Sequence, residues 1–91
     1  MARTSMAKPT EFKLYAPKAK KVILTGSFNN WNTRSLSAKK DSSGNWTAKV
    51  DLKPGRHEYK FIVDGNWVND PNSKSFTSNS FGSQNCVIEV R

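Results

Sequence analysis

Two stretches of this chain carry residues whose types and spacing suit a specific chemistry. Gly26-Ser-Phe-Asn-Asn-Trp31 follows the β-branched run Val22-Ile-Leu-Thr25, and Tyr59-Lys-Phe-Ile-Val-Asp-Gly-Asn-Trp67 ends another apolar run. Each closes on a tryptophan preceded by asparagine, with few apolar neighbours in sequence to bury the ring. A flat indole beside amide side chains fits a sugar: the C–H face of a pyranose lies on the ring while amide and ammonium groups hydrogen-bond its hydroxyls. Stacking of nucleic-acid bases is the competing use of the same rings. Fifteen Lys+Arg against seven Asp+Glu, a net charge of +8, could hold phosphates. The basic residues are spread along the chain, however, and the densest runs, Lys18–Lys21 and Lys39-Lys40, sit beside expected turns, which suits solubility better.

Strands must position these rings. Glu11-Phe-Lys-Leu-Tyr15 alternates polar and apolar residues, predicting a first strand from Thr10. Lys21–Thr25 is the second, with a continuous apolar centre that implies burial on both faces. The Ser27–Ser35 segment reads as a loop carrying Trp31. Leu36–Lys40 and Asn45–Leu52 flank Asp41-Ser-Ser-Gly44, the chemistry of a hairpin. In the second arm Trp46, Ala48, Val50 and Leu52 share one face, so Trp46 is expected in the core. Lys53-Pro-Gly55 is a tight turn, His57–Val63 the next strand, and Trp67-Val68 a short segment after an Asp-Gly turn. Asp70–Ser83 reads as a long loop, and Cys86–Val90 as the closing strand. Alternation places Lys60 opposite Tyr59 and Phe61, on the solvent side. Turns every 8–12 residues and no helical periodicity predict an all-β sandwich of about seven strands.

Composition bounds the rest. Ninety-one residues suit one domain with one modest core. Residues 1–9 are expected to form a disordered leader and 10–91 the domain. The single cysteine, Cys86, leaves no internal disulfide and no multi-cysteine metal site, and reads as a buried, inert thiol. No cofactor is implied. His57 has no nucleophile motif to serve. Asp64 and Asp70 flank Trp67 and could suggest the paired carboxylates of a glycosidase, yet an Asp-Gly turn and an Asp-Pro step account for them by backbone preference. No apolar run nears the ~18–20 residues that span a bilayer, and the amino end lacks a secretory core; a cytoplasmic setting is expected.

The ordered set Val22-Ile-Leu-Thr-Gly-Ser-Phe-Asn-Asn-Trp31, Gly44-Asn-Trp46, Leu52-Lys-Pro-Gly-Arg-His-Glu-Tyr-Lys-Phe-Ile-Val-Asp-Gly-Asn-Trp67, Asp70-Pro71 and Asn85 resembles the glycogen-binding domain. This is the family-48 carbohydrate-binding module, found in the regulatory beta subunit of AMP-activated protein kinase and before branching and debranching enzymes. The resemblance runs from about residue 10 to the carboxyl end. It implies an immunoglobulin-like sandwich that binds α-1,4-linked glucans without catalysis, alongside a glycogen-metabolising enzyme or kinase. By position it implies stacking by Trp31 and Trp67, and hydrogen bonds from Lys60 and Asn85. It further implies an apolar side chain and a hydroxyl from the late loop, matched by Phe81 and Ser83. That loop is somewhat longer here than in the family, and an aromatic at Phe81 departs from its pattern. A nucleic-acid-binding β-domain and a purely protein-docking domain are the alternatives to glucan binding.

Overall fold

β-Branched and aromatic residues dominate the runs that become strands, and Gly, Pro, Asn and Asp punctuate them. The computed structural model describes residues 7–91 and contains two antiparallel sheets. The strands are β1 (Lys8–Tyr15), β2 (Val22–Gly26), β3 (Lys39–Lys40), β4 (Asn45–Leu52), β5 (Gly55–Val63), β6 (Asn66–Val68), β7 (Ser75–Ser78) and β8 (Gln84–Val90). One sheet has the order β1-β4-β3. The other runs β2-β5-β8-β7, with β6 paired to β5. The expected all-β sandwich is what forms.

Three details correct the sequence reading. The described residues form eight strands, in keeping with the expected about seven, but Ser75–Ser78, read as part of a long loop, pairs along β8 as a strand. Its flanks of Ser, Asn and Lys give no apolar alternation, so the segment reads as loop until a partner edge is present. Leu36–Lys40 is also not one hairpin arm. Leu24 N donates to Leu36 O and Ala38 N to Val22 O, with a bridge between Ile23 and Ser37. Only Lys39-Lys40 then joins β4, so this segment crosses from one sheet to the other. β1 starts at Lys8, two residues before the expected Thr10. Of the expected leader, residues 1–6 lie outside the described residues.

The core sits between the sheets. Phe12 and Leu14 of β1 and Trp46, Ala48 and Leu52 of β4 face Val22, Leu24, Tyr59, Phe61 and Cys86. Burying each large side chain contributes about 1.5–3 kcal/mol. Rings interlock at the centre: Phe12 and Tyr59 lie 4.8 Å apart, edge to face, and Tyr59 meets Phe61 at 6.2 Å. Trp46 is 8% exposed and its Nε1 donates to Ala16 O at 2.8 Å, satisfying the indole's one polar atom. Cys86 is fully buried, and desolvation pushes its thiol up from the ordinary value, as suits an inert thiol. Tyr59 is pushed up more strongly, first by burial and then by donating its hydroxyl to Asp70 Oδ2 at 2.7 Å.

Candidate functional site: an aromatic groove on the outer sheet face

Because side chains alternate along a strand, the face of the β2-β5-β8-β7 sheet that turns away from the core carries its own set of residues. Tyr59 and Phe61 point inward, so Lys60 and Ile62 point outward. Thr25 stands opposite Lys60 and Ile23 opposite Ile62. Trp67 pairs with Ile62 from β6 and therefore joins the same side. Asn85 precedes the inward Cys86 and sits outward on β8, opposite Thr77. A groove of about 600 Å³ lies over this face, lined by Trp31, Lys60, Trp67, Asn79, Ser80, Phe81, Ser83 and Asn85.

All six residues singled out in the sequence thus line one groove. They come from separate elements: the loop after β2, strand β5, the β5–β6 hairpin, the β7–β8 loop and β8. Asn79 and Ser80 were missed. Nothing in their local sequence separates them from the other Ser and Asn residues of the late loop.

Trp31 is held by a short and heavily bonded turn. After β2 the chain makes a single 3-10 turn over Ser27–Asn29. Phe28 of this turn packs on Phe12, ring centroids 5.9 Å apart, and so anchors the turn to the core. Gly26 makes room for it: a Cβ there would meet Glu58 O at 2.4 Å and the Phe28 ring at 2.7 Å. Asn29 ties the loop together. Its Oδ1 accepts from Gly26 N at 3.0 Å, and its Nδ2 donates to Asn32 O at 3.2 Å and Ser35 Oγ at 3.0 Å. Asn30 and Trp31 both adopt φ of 56°, a left-handed conformation that a bulky residue takes only when its surroundings enforce it. Trp31 N is fixed by donation to Gly26 O at 2.8 Å. The turn therefore spends Phe28 inward in order to hold Trp31 outward.

Trp67 follows the Asp64-Gly65 turn. Asp64 itself has φ 48°, and its Oδ1 accepts from Lys20 N and Lys21 N at 2.9 and 2.8 Å, clamping the hairpin to the start of β2. Trp67 is 52% exposed, a large open area for an indole, and Phe81 is 91% exposed at the tip of the β7–β8 loop.

Lys60 differs from the solvated lysine that alternation predicts. It is only 8% exposed, with its head drawn against the end of the β7–β8 loop and the start of β8. Its Nζ donates to Ser83 Oγ at 3.1 Å and to Gln84 O at 2.9 Å, which meets the requirement that a buried charge be hydrogen-bonded. Lys60 is the one formally charged residue among those lining the groove. Asn85, also buried, donates through Nδ2 to Glu58 Oε1 at 3.1 Å and accepts at Oδ1 from Asn79 Nδ2 at 3.0 Å.

The remaining candidates are occupied elsewhere. Asp70 is buried under Tyr59, and its Oδ1 accepts from Asn72 N at 2.8 Å. His57 lies on β5, with Nε2 hydrogen-bonded to Lys53 O at 2.8 Å and its ring against Phe28. Among the described residues no group of three or more His, Cys, Asp or Glu side chains could hold a metal ion.

The family model described as the glycogen recognition site of AMP-activated protein kinase matches residues 8–91. The 5'-AMP-activated protein kinase subunit beta-1 of Sus scrofa is 41% identical over 88 residues, covering 97% of this chain and 68% of that protein. The human beta-1 subunit is 41% identical over 87 residues, 96% of this chain and 30% of the subunit. The human beta-2 subunit is 41% identical over 88 residues, 97% of this chain and 31% of the subunit. The chain thus spans less than a third of the human subunits it matches.

Proposed function

Since this chain belongs to the family of the glycogen recognition site of AMP-activated protein kinase, we propose that its outer-face groove binds α-1,4-linked glucans such as glycogen, starch and maltooligosaccharides, without catalysis. The observation that carries this reading is the convergence of three exposed or half-exposed rings, two amides, hydroxyls and a single ammonium on one open groove. Trp31 and Trp67 offer faces for glucose rings, and Phe81 offers a third apolar surface across the groove. Lys60 Nζ, Ser83 Oγ and the free lone pair and proton of the Asn85 amide are the hydrogen-bonding partners for sugar hydroxyls.

The chemistry of the groove favours a neutral ligand. A strand of nucleic acid would need a row of cations to follow its phosphates, and this groove has Lys60 alone. Glycoside hydrolysis would need an acid and a base flanking the scissile bond. Asp64 and Asp70, the carboxylates nearest Trp67 in sequence, are bonded to backbone amides and to Tyr59 instead.

Within a longer protein such a module would hold a glycogen-metabolising enzyme or kinase on its glucan, in the cytoplasm. Among the described residues no helix is long and apolar enough to cross a membrane. The test is co-sedimentation with insoluble starch or glycogen, with cellulose as control. Retention on the α-glucans and not on cellulose is expected; equal recovery from all three would refute the reading.

A further inference from the structure

We propose that Asn79 is the positioning residue of the groove: one carboxamide holds the loop that presents Phe81 and ties it to Asn85, whose orientation Glu58 sets. The inference deepens the glucan reading and rests on it. Asn79 Oδ1 accepts from Phe81 N at 2.9 Å and from Ser83 N at 3.2 Å. Its own N donates to Ser83 O at 2.9 Å, and Gly82 N donates to Asn79 O at 3.4 Å. The loop is therefore tied to a single residue, by two bonds to the Asn79 side chain and two to its backbone. Phe81 is 91% exposed, so packing does little to place its ring, and the backbone bonds through Asn79 do the placing.

The other end of the amide faces the sheet. The polarity of this relay is forced from Glu58 outward. A carboxylate only accepts, so Asn85 must present Nδ2 to Glu58 Oε1 and turn Oδ1 toward Asn79. Asn79 must then present Nδ2 to Asn85, which leaves Oδ1 for the two loop amides. Each group fixes the next, and the chain of bonds ends at the aromatic wall. Aspartate at 79 could hold the loop but could not donate to Asn85. Alanine would lose both side-chain functions and keep only the two backbone bonds.

The experiment compares the wild-type chain with Asn79→Ala, Asn79→Asp, Phe81→Ala and the Asn79→Ala/Phe81→Ala double variant. Amide hydrogen exchange at Phe81 and Ser83 is read without ligand, and β-cyclodextrin affinity is read by calorimetry. Protection at both amides should be lost in Asn79→Ala and kept in Asn79→Asp. Asn79→Ala should weaken β-cyclodextrin roughly tenfold, the ordering of a loose loop being charged to binding. Asn79→Asp should weaken it less. With Phe81 already removed, the Asn79→Ala effect should shrink to that of Asn79→Asp. A purely structural role would shift the melting temperature without this coupling. Unchanged protection in Asn79→Ala, or full affinity in that variant, would overturn the proposal and leave the glucan reading standing. Wild-type protein that binds no β-cyclodextrin would overturn the glucan reading, and the exchange measurement alone would then decide whether Asn79 holds the loop.

Discussion

The tripeptide Gly-Asn-Trp occurs twice in this chain, at Gly44-Asn45-Trp46 and Gly65-Asn66-Trp67. In both copies the glycine takes a positive φ, 90° and 87°, and the tryptophan lies on the strand leaving a turn. Their fates are opposite: Trp46 is 8% exposed and Trp67 52%. The difference lies in the partner strand. Trp46 pairs with Leu14 and Lys40 on a sheet face that looks across the sandwich. Trp67 pairs with Ile62 on a face that looks away from it. The turns differ in the same sense. A Cβ at Gly44 would meet Pro17 Cβ at 2.7 Å, whereas nothing lies within 4 Å of one at Gly65. Identical local chemistry thus builds a core wall in one place and an exposed ring beside the groove in the other. The register of the sheet decides which.

The largest test of this contrast is Trp46→Ala. Removing a buried ring should cost about 3–5 kcal/mol, read by denaturant or thermal unfolding; an unchanged midpoint would contradict the core role. Trp67→Ala should do the reverse, holding the midpoint steady while glucan affinity falls roughly tenfold or more. That magnitude borrows about 1–3 kcal/mol per stacked ring from base stacking. Trp31→Ala should behave like Trp67→Ala, and either variant keeping full affinity would remove that ring from the platform.

Smaller effects should separate the two turns. Alanine at either glycine meets the left-handed penalty of about 1–2 kcal/mol, but Gly44→Ala should cost more, because Pro17 must also move. Equal losses at both positions would show that the packing around Gly44 is slack. Smallest is the acid response of the first turn. Asp41 Oδ1 accepts from Ser43 N at 2.8 Å and Asn45 N at 3.0 Å, and the amides of Asn45 and then Ser43 hold its carboxyl below the ordinary range. A lowered folded-state value means that this support is present above the ordinary carboxylate range and is lost as pH falls through the folded value. Asp41→Asn should flatten that part of the acid unfolding profile.

Much of this was legible in the sequence because apolar alternation and turn residues carry it. Trp46 with Ala48 and Leu52 marked a core face, and the Asp-Gly and Lys-Pro-Gly steps marked turns. Trp31 and Trp67 stood out as rings without apolar company. Three features escaped for physical reasons. β7 is an edge strand of Ser, Phe and Thr whose pairing needs β8 beside it. Lys60 is buried and bonded to Ser83 and Gln84, partners far away in sequence that strand alternation cannot register. Asn79 works through bonds to Phe81, Ser83 and Asn85 that no spacing rule encodes, so its type alone could not separate it from its asparagine neighbours.

The central claim is that a +8 chain binds a neutral polymer through rings and amides rather than through its charge. Calorimetric titration of maltoheptaose or soluble glycogen at about 50 and about 500 mM salt, a range over which surface charge effects fade, tests it most directly. Single-stranded DNA is titrated in parallel. The account predicts glucan affinity changing by less than about twofold across that range, while any DNA binding collapses by orders of magnitude, as release of condensed counterions requires. No glucan signal beside tight DNA binding at the higher salt would contradict it.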